Sequence, residues 1–301
     1  MKMTKEEGAI FDSAFCIDYH SDDTARFLYY YHSDRTVRDI LTEDGIQLRL
    51  NHVGQFPDKL EGKTIEVYFD IALDELLQEG KINKKQFSIL AQANMPDKRF
   101  IIRQEERGVS FGAEKKCDAY IICFSTEKDD PCMYENYGNR GKGRYCLSFE
   151  SFVFKNLRLG EYENNLGVDW IRVFYGKKVV DLLKNWILKY LEDADLSDKS
   201  ICVLMEDVLH ELQYSAKRTR YSFENELRLV VYLPENEEID SHIFEKYEDK
   251  GKKYLRLYLD KYHLYGITAD PNNNPEVNEE LFACLRDRGY GDSIDFRASR
   301  R

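Results

Sequence analysis

Apolar and polar positions alternate along much of this chain and mark its strands. Residues 25–32 (ARFLYYYH) form a dense aromatic run of strand character, and Ser33 and Asp34 offer cap residues for a helix over 36–42. Gly45 is placed to end that helix, and residues 46–50 (IQLRL) alternate as a second strand. Between 65 and 93, Val67, Ile71, Leu76, Leu77 and Phe87 keep a rough helical spacing, interrupted near 80–83. Strand character returns at 117–124 (CDAYIICF), 144–149 (RYCLSF) and 168–175 (VDWIRVFY), with a short helix expected around 133–137. The clearest helix follows: Val179, Val180, Leu182, Leu183, Trp186, Ile187, Tyr190 and Leu191 make one apolar face. A second helix carries Ile201, Leu204, Met205, Val208, Leu209 and Leu212. Residues 226–233, 254–259 and 264–268 read as late strands, and Pro234 closes the first of them.

This order, strand-rich, then helical, then strand-rich, points to an α+β fold rather than a βαβ array. No internal repeat or low-complexity tract divides the sequence. The expectation is one α+β domain over 1–301 with a helical insertion at about 177–215.

Charge narrows the partners. Fifty-five acids against 44 bases leave a net charge of −11, a field that repels a phosphate backbone and works against non-specific nucleic-acid binding. Arg140, Lys142 and Arg144, and again Lys217, Arg218 and Arg220, crowd two short stretches and read as solvated faces. The seven cysteines form no C-x-x-C pair, which fits free thiols in a reducing compartment and argues against a structural zinc site. The opening MKMTKEEGAIFDS lacks the apolar centre of a signal peptide, and no apolar run approaches the ~18 residues that span a bilayer. A cytoplasmic protein with no membrane partner is expected.

The candidate chemistry centres on Glu224 and Glu226. Two positions apart at the mouth of an apolar strand, they are expected to leave one face together, with Arg228 on the same face as their base. A solvated edge with an ion pair is the bland alternative. Ser125 and Thr126 follow the strand YIICF, where hydroxyls bond a ligand or start a turn. Tyr30 and His32 share one face of their strand, and Tyr134 and Tyr137, three apart, can stack on a planar ring or pack a helix face. GNRGKGRY lacks the strand–loop–helix context of a phosphate loop, and the six histidines show no ligand spacing, so no metal is expected. A metal-dependent nuclease built on Glu224, Glu226 and Asp58 lacks the lysine usually found beside such a pair.

Taken in order, several segments resemble a bacterial family known as domain of unknown function 2971. They are LYYYHSDRTVRDIL, FPDKLEG, CFSTEKDDPCMYENYGNRGKGRYCLSFE, FENELRLVVY and YGITADPNNN, and they extend over nearly the whole chain. The arrangement also resembles the ADP-ribosyltransferase superfamily, which implies a core of two small packed sheets with flanking helices. The resemblance assigns Tyr30 and His32 to the first strand, Gly45 to the helix end, Ser125 and Thr126 to the second motif, and Glu226, with Glu224 before it, to the carboxylate strand. Tyr30 stands where the superfamily's pattern has His, and His32 where it has a hydroxyl.

The implied activity is a glycosyl transfer from NAD as substrate. Glu226 would hold the ribose hydroxyl and stabilise the developing positive charge, and Glu224 would orient or deprotonate the attacking group. Tyr134 or Tyr137 would stack on the nicotinamide, and Tyr30 or His32 would bond the adenosine ribose. ADP-ribose would pass to a protein or nucleic-acid target, as a toxin or in phage defence. The alternative is a non-catalytic module that binds a nucleotide or a partner on the same fold.

Overall fold

The computed structural model describes residues 26–56, 63–93, 99–106, 109–138, 141–154, 167–192, 201–202, 205–206, 208–209, 212–234, 239, 241–291 and 294–298. The chain opens with β1 (Phe27–Ser33), α1 (Asp34–Ile40), β2 (Leu41–Thr42) and β3 (Gly45–His52), then α2 (Thr64–Gln78) and α3 (Lys84–Leu90). Next come β4 (Arg99–Glu106), β5 (Val109–Ser125), α4 (Pro131–Tyr137), β6 (Arg144–Glu150), β7 (Gly167–Arg172) and β8 (Phe174–Tyr175). They are followed by α5 (Lys177–Glu192), β9 (Ala216–Lys217), β10 (Glu226–Pro234), β11 (Phe244–Asp249) and β12 (Lys252–Leu259). β13 (Leu264–Ala269), α6 (Pro275–Asp287) and β14 (Asp295–Ala298) complete the series.

The fold is mixed α+β, but its strands do not form two small sheets. Among the described residues twelve strands join one hydrogen-bonded sheet along the path β11-β12-β3-β5-β1-β6-β13-β14, with β2, β4, β7 and β10 off it, and β8 and β9 pair separately. The reason lies in β5. Its 17 residues are long enough to serve several neighbours in turn: β4 over 109–116, β3 at Tyr120 and Ile121, and β1 at Ser125. What would otherwise be separate sheets are therefore joined by one strand.

Two compact units divide the chain, one of Met1–Gln55, Ala119–Trp170 and Phe223–Arg301 and one of Phe56–Asp118 and Ile171–Ser222. In the first, strand alternation builds the core directly. Leu28, Ile122, Phe124, Leu147, Phe149, Leu227 and Leu229 share one cluster with Phe154 and Trp170. Phe124 meets Phe154 at 5.0 Å, and the Trp170 indole donates to the Phe154 carbonyl at 3.2 Å, so the polar edge of the largest ring is satisfied. The neighbouring positions on β1 and β6 turn the other way. Tyr31 lies opposite Cys146, and both join Met133 and Tyr134 of α4 in a second, smaller cluster.

Gly45 does not end the first helix. α1 stops at Ile40, Leu41 and Thr42 pair with Ile46 and Gly45, and the glycine opens β3. Its φ of +141° suits glycine alone, and a Cβ there would lie 2.7 Å from the Leu259 carbonyl oxygen. α6 was not expected from the sequence, which reads Asp270, Pro271 and three asparagines as a turn. The last of those asparagines, Asn274, caps α6 by accepting from the Glu276 amide at 3.0 Å, and Leu281 and Leu285 are buried one turn apart.

In the second unit α2 buries Ile65, Phe69, Ala72, Leu73 and Leu76 and packs against α5, which buries Val179, Val180, Leu183, Trp186 and Ile187. Val67 and Ile71, expected on the apolar face, are 50% and 40% exposed. The interruption near 80–83 is real. Asn83 accepts from the amides of Lys85 and Gln86, and Gln86 answers at the Asn83 amide, forming a capping box that starts α3. The described residues among 201–212 are helical.

Candidate functional site

β5 ends where β10 begins, and one backbone carbonyl joins them. Thr126 donates to the Asn225 oxygen from its amide at 3.0 Å and from Oγ1 at 3.2 Å. Asn225 has φ +41°, in the left-handed region that Asn tolerates better than most residues. That one residue changes the expected geometry of the two acids. Glu224 is the last residue of a 3₁₀ turn (Thr219–Glu224) and Glu226 the first of β10, so the two-residue period of a strand does not extend across them.

Glu226 faces Arg228, as strand spacing predicts. Arg228 Nε donates to Glu226 Oε1 at 2.7 Å and Nη2 to Oε2 at 3.4 Å, with the two side chains 1% and 3% exposed. Two parallel charge-assisted bonds are the geometry in which a buried ion pair offsets most of its desolvation cost. Glu224, 3% exposed, accepts a hydrogen bond from the Tyr137 hydroxyl. Tyr137, at the end of α4, keeps 41% of its surface in solvent.

The other tyrosine of α4 is closed off. Tyr134 is 1% exposed, donates to Asp129 Oδ1 at 2.9 Å and meets the Tyr31 ring edge-on at 5.0 Å. Tyr31 in turn donates to the Glu127 carbonyl at 2.7 Å and accepts from the Asp130 amide at 3.1 Å. Burial pushes both phenols far above their ordinary range and lifts the Cys146 thiol beside them to about 12. Ser125 is fully buried, and its Oγ accepts from the Glu127 amide at 3.0 Å, the turn-forming role.

Tyr30 and His32 take the opposite face of β1 from Tyr29 and Tyr31. Their rings meet edge-on at 4.2 Å, and Tyr30 packs on Phe124 at 5.5 Å, beside the main core. Burial raises the Tyr30 phenol, with Cys123 and Tyr247 adding to the shift and Arg49 opposing it. The structure thus gathers Thr126, Tyr137 and Glu224 around Asn225, with Ser125 beneath and the Glu226–Arg228 pair next along β10. Tyr30 and His32 belong to another surface, and Tyr134 is sealed under α4.

Comparison with protein-family models, curated proteins and solved structures finds no match to this chain. Among the described residues no helix is long and apolar enough to cross a membrane, and no group of three or more His, Cys, Asp or Glu has the disposition of a metal site. Asp58 lies outside the described residues.

Sequence reasoning passed over a second feature of the first unit. A pocket of about 360 Å³ opens between the start of β3 and the end of β12, lined in part by Asp44, Asp260 and His263. The signal was faint, because its residues come from four separated stretches and share no spacing.

Proposed function

We propose that the corner formed by Thr126, Tyr137, Glu224 and Glu226 is an NAD site of ADP-ribosyltransferase type. One observation carries this reading: the paired bonds from Thr126 to the Asn225 carbonyl bring the hydroxyl motif of β5 against the two acids that flank Asn225. Tyr137 is the access point. Its hydroxyl bonds Glu224 while the residue stays 41% exposed, so rotating it outward uncovers the acid and offers an aromatic face to nicotinamide.

In the reaction the nicotinamide departs with the electron pair of its bond to the ribose, and oxocarbenium character develops on the sugar. The Glu226 carboxylate, held in place by Arg228, bonds the ribose hydroxyl and stabilises that charge. A nucleophile of the macromolecular target forms the new bond to the same carbon and gives its proton to Glu224.

The test is NAD consumption by mass spectrometry, with and without cell lysate, for wild type, Glu226→Gln and Tyr137→Ala. Turnover in wild type that Glu226→Gln abolishes supports the assignment. Tyr137→Ala, which leaves the ion pair intact, should lower turnover while circular dichroism stays unchanged. A folded Glu226→Gln protein with wild-type turnover would sink the reading.

A second reading, a non-catalytic nucleotide-binding module, is favoured by the closed Glu226–Arg228 pair and by the turn of Tyr30 and His32 to another face. It predicts stabilisation by a nucleotide without its consumption, ~2.7 kcal/mol at a hundredfold excess over Kd. No thermal shift with any nucleotide counts against it.

A further inference from the structure

We infer that the pocket between β3 and β12 is a binding site for a small organic cation carrying amino groups, such as a short aliphatic diamine. It shares no residue with the corner at Asn225 and stands independently of that reading.

Two exposed carboxylates, Asp44 and Asp260, line the pocket and are open to a guest. Asp260 stands at the N-cap of the 3₁₀ turn Lys261–His263, yet its side chain makes no capping bond. Among the described residues the Asp44 and Asp260 carboxylates have no hydrogen bond and no ion pair. His263 Nδ1 is buried without a partner, a costly state that a ligand donor would relieve. Burial holds this imidazole below its ordinary value, so at neutral pH it is uncharged and can accept.

The nearby cations are already committed. Lys261 turns away to donate to the Arg288 carbonyl at 2.6 Å, and Arg256 is held by Glu245 at 2.7 Å and by the Tyr258 hydroxyl at 3.0 Å. Carboxylates with no base to neutralise them favour a positively charged guest. Tyr262, 71% exposed, also lines the pocket and lies 4.0 Å from the His263 ring, an aromatic neighbour of the kind that attracts a cation. Val153, Ile243 and Leu259 give the apolar wall that an aliphatic stem needs. The volume of about 360 Å³ suits a small molecule, and the chain's net charge of −11 draws cations towards it.

The experiment is calorimetric titration of the full chain with putrescine and spermidine, against 1,4-butanediol as the uncharged analogue and inorganic phosphate as the anion. Saturable binding of an amine is expected, with butanediol and phosphate inert. Asp44→Asn and Asp260→Asn should each weaken the amine by about tenfold or more, the worth of a charged hydrogen bond. Because neither carboxylate has a partner, both variants should keep the unliganded Tm, which separates lost binding from lost folding. Any of three results overturns the proposal: no saturable amine binding at millimolar concentration, equal affinity in the double variant, or binding of butanediol or phosphate in place of the amines.

Discussion

Arg228 reaches Glu226 through two nitrogens, at 2.7 and 3.4 Å, and both side chains are almost wholly withdrawn from water. Breaking such a pair from one side strands a buried charge. Arg228→Met should therefore cost about 3–5 kcal/mol in urea unfolding. Replacing both partners, Glu226→Leu with Arg228→Met, should recover most of that loss, since an apolar pair of similar volume needs no desolvation. A double variant no more stable than the single one would show that the ion pair is not the source.

Thiol reactivity should divide by position. Cys132 is exposed at the start of α4, whereas Cys146 is buried in β6 with its thiol lifted to about 12 by burial. Under native conditions at pH 8, iodoacetamide should label Cys132 and leave Cys146 intact until denaturant is added. Peptide mass spectrometry reads both sites, and prompt native labelling of Cys146 would contradict its burial.

His263 should make stability fall on acidification. Its folded value is depressed below the ordinary ~6.5, mainly by burial, with Asp260 and Glu150 opposing the shift. As pH drops below that ordinary value the unfolded chain takes up the proton first. The contribution is therefore complete above about 6.5 and is lost as pH falls through the lower folded value. Comparing Tm at pH 7.5 and 5.5, His263→Gln should show a smaller drop than wild type. An equal drop would mean that other groups set the dependence.

Gly45→Ala should destabilise the fold by about 1–3 kcal/mol from backbone strain alone. The methyl would also press on the Leu259 carbonyl at 2.7 Å, at a position where β3 and β12 pair Ile46 with Leu259. Urea midpoints check this, and an unchanged midpoint would show that β3 can shift to make room.

Much of the fold is legible in the sequence where local pattern and final packing agree. The apolar face of α5 and the alternation of IQLRL each report a burial that the structure contains, and ELRLVVYL, read as a strand, is one. What was missed depends on distant partners. β4 and the first part of β5, for which the sequence reading gives no element, pair with each other over Arg99–Glu106 and Val109–Lys116. β11 (FEKYED) is polar because it is an outer strand at the end of the sheet path, paired with β12.

The same limit applies to the site. That Arg228 faces Glu226 follows from counting by twos along β10. The position of Glu224 outside the strand does not, because it goes with the left-handed turn at Asn225, and Asn only permits such a turn without requiring it. Tyr134 and Tyr137 are equivalent in sequence. Packing under Tyr31 closes one and leaves the other in solvent.

The pairing of β3 with β12 carries a consequence for biosynthesis. Leu50 faces Leu255, roughly 200 residues further on, so this edge of β3 leaves the ribosome long before its partner exists. At roughly 5–20 residues per second the nascent chain would wait about 10–40 seconds with Ile46, Leu48 and Leu50 uncovered on that side. This edge of the sheet is thus completed only after β12 has emerged. Cells making this protein quickly would need either a chaperone to occupy that interval or a low enough density of nascent chains that exposed edges do not find one another first.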